Sequence, residues 1–313
     1  SISTTSRFSV TCSMVSLIAA VGATSLFTLF VSSASFQTTL HSGALSVALP
    51  GIVIKGSEHV MPPIGFGTCC RKTAQGPALV NSTLIFLRLG GRHIDTAQKY
   101  SNHKDIRKAL TQVQVPREEL WITSKINTIS KAPGRQGVME AVNESLRELG
   151  LNYLDLMLLH RPANTSELRA EQWRGLIDAR AAGKVRNIGV SNYDATMIQG
   201  LIDATGVTPA MNQISYNPLN ARHQRTLVQW CQNRSIAVTA YSSVRDKTNG
   251  DVAIKIAETH KASPAQVLLR WALDQGVAVI PGATSEEHIL DNLSTGDFRL
   301  STEEVQLLER GSG

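Results

Sequence analysis

The chain predicts an α/β fold, specifically a (β/α)8 barrel of the TIM type, and three observations predict it. From about residue 45 onward, short apolar runs alternate with amphipathic helical stretches, and eight such runs can be counted. The 313 residues are enough to house eight strand-helix units. No G-x-G-x-x-G turn follows any strand, since GFG at 65–67 runs into TCC, which removes the main signal of a doubly wound dinucleotide-binding sheet.

The elements follow in order. VALPGIVIKGSEHVMPPIGFGT reads as a short hairpin running into a buried strand at 64–67. The other strands are expected at 93–96, 120–124, 154–159, 187–190, 211–215, 237–241 and 277–280, each a compact aliphatic or β-branched run of the kind covered on both faces. Helices are expected at 136–149, stopped by Gly150, at 167–182, stopped by Gly183, and at 264–273, opened by Pro264.

Composition narrows the function classes. A hydrophobic content of 42% supports a full core and argues against disorder. The formal charge of +6 comes without any run of five Lys or Arg, so the scattered basic residues argue against nucleic acid and suit phosphorylated small molecules better. The four cysteines, Cys12, Cys69, Cys70 and Cys231, fit neither a disulfide framework nor a zinc site. Five N-x-S/T triplets, at Asn81, Asn143, Asn164, Asn233 and Asn292, occur at a frequency expected of a Ser/Thr-rich chain and carry no weight.

The N-terminus reads as a separate segment. Residues 1–57 contain no Asp or Glu, and 14–31 form an uncharged apolar stretch followed by small residues at Ser32 and Ala34. That layout predicts a targeting segment over 1–44, with a single membrane anchor as the alternative. The acid-free Ser/Thr-rich stretch after it suggests organelle import by the secretory route, a cytoplasmic location being the other reading.

Polar residues at the C-terminal ends of barrel strands face the active-site mouth. Asp95 ends the second strand, Tyr100 lies in its loop, Lys125 ends the third strand and His160 the fourth. The steps of thirty and thirty-five residues from Asp95 to Lys125 to His160 are one strand-helix unit each, so neighbouring strands aim these groups at one point. Singly each has a plain structural reading; together they predict a site.

With these residues in view, the chain resembles the aldo-keto reductase family. GRHIDTAQKY resembles its G-x-R-x-I-D-T-A-x-x-Y signature, and ITSK, YLDLMLLHRP, GKVRNIGVSNY, NQISYNP, TAYSS and VIPGATSEEHILDNL follow in the family's order, covering about residues 45–310. The resemblance implies a barrel whose floor is closed by the N-terminal hairpin, a nicotinamide cofactor, a small-molecule carbonyl substrate and a monomer.

The residue types suit that chemistry. Reduction of a carbonyl needs a hydride at carbon and a proton at oxygen, where negative charge develops. Tyr100 is the expected acid: a free phenol ionises only near pH 10, and an adjacent ammonium favours its phenolate. Lys125 would supply that charge and Asp95 would hold the Lys, while His160 would hydrogen-bond the substrate oxygen. No side chain donates a hydride, so a nicotinamide must.

By resemblance, Ser191, Asn192 and Gln213 hold the nicotinamide carboxamide and Tyr241 stacks on its ring. Thr68 and Ser242 approach the phosphates or ribose, and Asn292 occupies the adenine-contacting position. Members often carry Lys-Ser and a later Arg as a clamp for the 2′-phosphate of NADP, where this chain has Gly282, Ala283 and His288. Thr284 and Ser285 remain as phosphate ligands, so NADPH is expected with NADH as the alternative. Positions often aromatic in the family are Cys69, Asn127 and Arg161, which implies an open pocket with few flat walls. Two rival readings are a nicotinamide-binding sensor barrel with little turnover, which has less need of all four catalytic groups, and a metal-dependent hydrolase, for which the strand ends supply too few ligands.

Overall fold

The computed structural model describes residues 49–127, 134–244 and 250–310. The targeting segment expected over 1–44 lies outside the described residues. Eight parallel strands are hydrogen-bonded in sequence order, β1 (Phe66–Gly67), β2 (His93–Asp95), β3 (Trp121–Ile126), β4 (Leu154–Leu159), β5 (Val185–Ser191), β6 (Met211–Ser215), β7 (Ala237–Tyr241) and β8 (Ala278–Val279). A parallel bridge between Ile64 and Val279 joins the last strand to the first, so the sheet closes on itself. The expected (β/α)8 barrel is the observed one. The third strand extends further than expected, through Ile126, which places Lys125 inside the strand; the first and last are shorter, because each pairs only briefly beside the closing seam.

Helices α1 (Gly76–Arg88), α2 (His103–Leu110), α3 (Arg135–Leu149), α4 (Ser166–Ala181), α5 (Ala195–Thr205) and α6 (Ala221–Gln232) each follow a strand. Two helices, α7 (Gly250–His260) and α8 (Pro264–Leu273), lie between β7 and β8, and α9 (Glu286–Leu293) and α10 (Thr302–Arg310) follow β8. Local chemistry sets their ends. Thr165 and Asp194 cap α4 and α5 by accepting backbone N–H groups, and Ser263 with Gln266 forms a capping box ahead of Pro264. α3 stops at Gly150, whose φ of 68° is left-handed and costs glycine little. Among the described residues no helix is long and apolar enough to cross a membrane.

The period-2 alternation of strand side chains divides the interior. In β4, Met157 and Leu159 join the large core between sheet and helices, whereas Leu156 and Leu158 join a smaller cluster with Ile54, Met61, Trp121, Met211 and Ala278. That smaller cluster closes the barrel's N-terminal end. The hairpin expected there is reduced to one antiparallel bridge, Ile52 with Met61, and these residues still bring Ile54 and Met61 onto the floor.

Candidate active site

Above the floor the interior turns polar, in layers set by the same alternation. Trp121, Thr123 and Lys125 follow one another up the inside of β3, beside His93 and Asp95 of β2, with Asp95 in register with Thr123. The Trp121 indole N–H donates to Thr123 Oγ1 at 3.2 Å, and the same hydroxyl meets His93 Nε2 at 3.2 Å. His93 Nδ1 lies 3.1 Å from the Pro62 carbonyl. Burial pushes His93 down to about 4 although Asp95 favours its charge, so it is a neutral spacer between floor and mouth.

The next layer holds the predicted set. Lys125 and Asp95 are 1% and 2% exposed in their side chains, and Nζ donates to Asp95 Oδ1 at 2.5 Å. Nζ also donates to the Thr96 carbonyl at 2.9 Å and to Tyr100 Oη at 3.2 Å. Burial pulls the Lys125 pKa down, but Asp95 and Tyr100 outweigh it and the ammonium ends above the ordinary lysine value. The second carboxylate oxygen of Asp95 accepts from Gln213 Nε2 at 2.7 Å. A buried ion pair of this kind needs its other polar atoms partnered, and here each carboxylate oxygen and each ammonium N–H has a partner.

Tyr100 and His160 are half-buried and face the mouth, their rings edge-on at 5.7 Å between centroids. Burial first, then the positive charges of Lys125, Arg161 and Lys99, pull His160 down to about 3, so the imidazole is neutral at physiological pH. The predicted four groups are thus brought together.

The positions expected to hold a carboxamide are also adjacent, and they are bonded to one another. Ser191 Oγ donates to the Gln213 carbonyl at 2.8 Å, Asn192 Nδ2 donates to Ser191 Oγ and to the His160 carbonyl at 3.0 Å each, and the Tyr241 hydroxyl donates to Asn192 Oδ1 at 2.7 Å. Asn192 and Ser242 hold left-handed φ values of 64° and 57°, which turn the chain sharply at the ends of β5 and β7. Asn192, Tyr241 and Ser242 keep partial exposure, as groups lining a cleft do.

Thr68 is fully buried, and both its N–H and its hydroxyl donate to the Asp95 carbonyl, at 3.1 and 2.9 Å, which fixes β1 to β2 beside the site. Cys69 and Cys70, set aside as disulfide partners, are joined to each other. A bond between neighbours is not the framework of long-range bridges that cysteine spacing would signal. Cys69 remains partly exposed at the rim, as does Asn127, whose N–H donates to Gln98 Oε1 at 3.1 Å. Arg161 is exposed beside His160. Thr284 meets Thr73 beside the β1–β8 seam, Oγ1 to Oγ1 2.8 Å, and Asn292 lies half-buried on α9.

Sequence reasoning missed two supporting residues. The Asn102 amide donates to the carbonyls of Thr68 and Ala74, and its oxygen accepts from Thr96 Oγ1, so it ties the loop after β1 to the one after β2. The Gln98 amide donates to the Ala141 carbonyl and to Glu144, holding the Tyr100 turn against α3. Neither has a local signal, because its partners lie on other elements.

The sequence model of the Aldo/keto reductase family matches residues 63–249 and 245–311. The chain belongs to the aldo-keto reductase family. Among its relatives, the methylglyoxal reductase DkgA of Salmonella typhimurium is 36% identical over 264 residues, 83% of this chain and 92% of that protein. The 9,11-endoperoxide prostaglandin H2 reductase of Trypanosoma cruzi is 33% identical over 254 residues, covering 80% and 87%. A Bombyx mori aldo-keto reductase solved in complex with NADP superposes with a TM-score of 0.77 at 31% identity, over 85% of this chain and 93% of that one. As an aldo-keto reductase the chain is an NADP-dependent oxidoreductase acting on carbonyl compounds.

The site fits a dinucleotide on its own geometry. A partly exposed tyrosine at the end of β7 bonds to the partly exposed Asn192 amide just after β5, and an arginine with a buried, unpartnered Nε lies at the seam of β1 and β8.

Proposed function

We propose that this aldo-keto reductase reduces small aldehydes and ketones to alcohols with NADPH, and that Tyr100 donates the proton. The observation that carries the reading is the Lys125 ammonium, whose three N–H groups go to Asp95, Thr96 and Tyr100. By donating to the phenol oxygen, Lys125 leaves the Tyr100 hydrogen free to be given to a substrate oxygen in the cleft. As it leaves, the charge it uncovers stays against a buried cation, which lowers the cost of the step. Asp95, tied down by Gln213, keeps the ammonium aimed. Neutral His160 can share a hydrogen bond with the carbonyl oxygen and orient it without bringing a second positive charge beside Lys125.

When bound, the nicotinamide supplies the hydride that the carbonyl carbon receives. Ser191, Asn192 and Gln213 would hold its carboxamide, exchanging some of their mutual hydrogen bonds for bonds to it, and Tyr241 would offer its face to the ring. Ser242, Thr284 and Asn292 would contact the rest of the dinucleotide. Cys69, Asn127 and Arg161 give the substrate side a polar rim with few aromatic walls, which suits a short polar carbonyl such as an α-oxoaldehyde, in keeping with the name of the DkgA relative.

NADPH consumption with methylglyoxal tests this. Tyr100→Phe is expected to lower kcat by roughly 10²-fold or more while NADPH binding is retained. Turnover that survives the substitution would remove Tyr100 as the acid. Binding of NADPH by the unsubstituted protein with no turnover on a panel of short aldehydes would favour a sensor barrel.

A further inference from the structure

At two of the positions where members often carry the cations of the 2′-phosphate clamp, 282 carries no side chain and 288 is a histidine. The space over Gly282 is not vacant. Arg71, from the loop after β1, donates through Nη1 to the carbonyls of Gly67 and Cys69, at 3.1 and 3.4 Å, and through Nη2 to the carbonyl of Ala283 at 3.5 Å. A Cβ at Gly282 would fall 1.5 Å from Arg71 Nη1. The missing side chain at 282 and the arginine at 71 are therefore one feature, since any larger residue would push the guanidinium away.

The surroundings of Arg71 are those of a cation awaiting an anion. No carboxylate among the described residues pairs with it, its partners are backbone carbonyls, and its Nε is buried without a hydrogen-bond partner. Burial lowers its pKa with nothing to offset it. A partly desolvated guanidinium recovers far more from a bidentate oxyanion than from carbonyl dipoles. The start of α9 is a poor alternative, because Ser285 already caps it and Glu286 and Glu287 occupy its first turn. The place is also right: loops at the β8 end of such barrels commonly hold phosphate, and Thr73 with Thr284 ties the loop bearing Arg71 to the loop after β8.

We infer that Arg71 is the cationic ligand for a phosphate of the bound dinucleotide, delivered by the first barrel loop across Gly282. The inference rests on the nucleotide-dependent reading above. The dinucleotide presents two such anions, the pyrophosphate and the 2′-phosphate, and the experiment separates them.

Quenching of intrinsic fluorescence is titrated with NADPH and with NADH for the full chain, for Arg71→Gln and for Gly282→Ala, which displaces the guanidinium without removing it. Each variant is expected to raise the NADPH Kd by about tenfold. Loss confined to NADPH assigns Arg71 to the 2′-phosphate, and equal loss with NADH assigns it to the pyrophosphate. If Arg71→Gln leaves both Kd values within about threefold of wild type, the inference is overturned; should that variant not fold, Gly282→Ala decides by the same measure. Failure of the unsubstituted chain to bind either dinucleotide would instead sink the nucleotide-dependent reading itself.

Discussion

Lys125 shows what one residue does in this site and what its loss costs. Its removal by Lys125→Met leaves the buried Asp95 carboxylate with Gln213 as its remaining side-chain partner. Breaking a buried pair from one side costs about 3–5 kcal/mol, whereas removing both charges costs much less. In urea denaturation, Lys125→Met is expected to lose most of that amount, and Asp95→Asn with Lys125→Met together to lose less than the two single losses added. Additive losses would show that the pair is not energetically coupled. Activity is expected to vanish in both, because the phenol then has no cation beside it.

At the scale of the element, two-residue alternation decides which side chains reach the site. In β3 it sends Trp121, Thr123 and Lys125 inward and Ile122 and Ile126 toward the helices. Neighbouring strands then must approach closely, and β5 manages this with Gly189, in register with Leu158. A Cβ there would lie 2.6 Å from the Met211 carbonyl oxygen and 2.7 Å from Leu158 Cδ2. Gly189→Ala is therefore expected to destabilise by about 1–3 kcal/mol, read as a lower denaturation midpoint with an unchanged m-value. A midpoint equal to wild type would mean that the strands have slack at this crossing.

The whole molecule carries a pH dependence that follows from its buried histidines. His93 is held near 4 in the fold and returns to about 6.5 when unfolded, and His103 and His160 are shifted in the same direction. Between those values the unfolded chain binds a proton that the native chain refuses. Stability from His93 is thus complete above about pH 6.5 and declines as pH falls toward 4, by at most about 1.4 kcal/mol per pH unit. Denaturation midpoints at pH 5 and 7 should differ accordingly, and His93→Gln should shrink the difference. An undiminished difference in that variant would assign the effect to other groups.

The sequence by itself determined the barrel and the clustering of four polar residues at neighbouring strand ends, because each depends on local pattern: apolar period, Gly and Pro at helix ends, and polar residues at strand ends one unit apart. Asp95, Tyr100, Lys125 and His160 were legible for that reason. Tertiary structure alone decided the rest. That Thr68 is buried under Asp95, that Ser191, Asn192, Gln213 and Tyr241 bond to one another, and that Arg71 fills the space over Gly282 all depend on contacts between segments tens to hundreds of residues apart. A linear pattern records what each residue could offer; only closure of the sheet fixes which groups meet, because the last strand must return beside the first before Arg71 has a neighbour at 282.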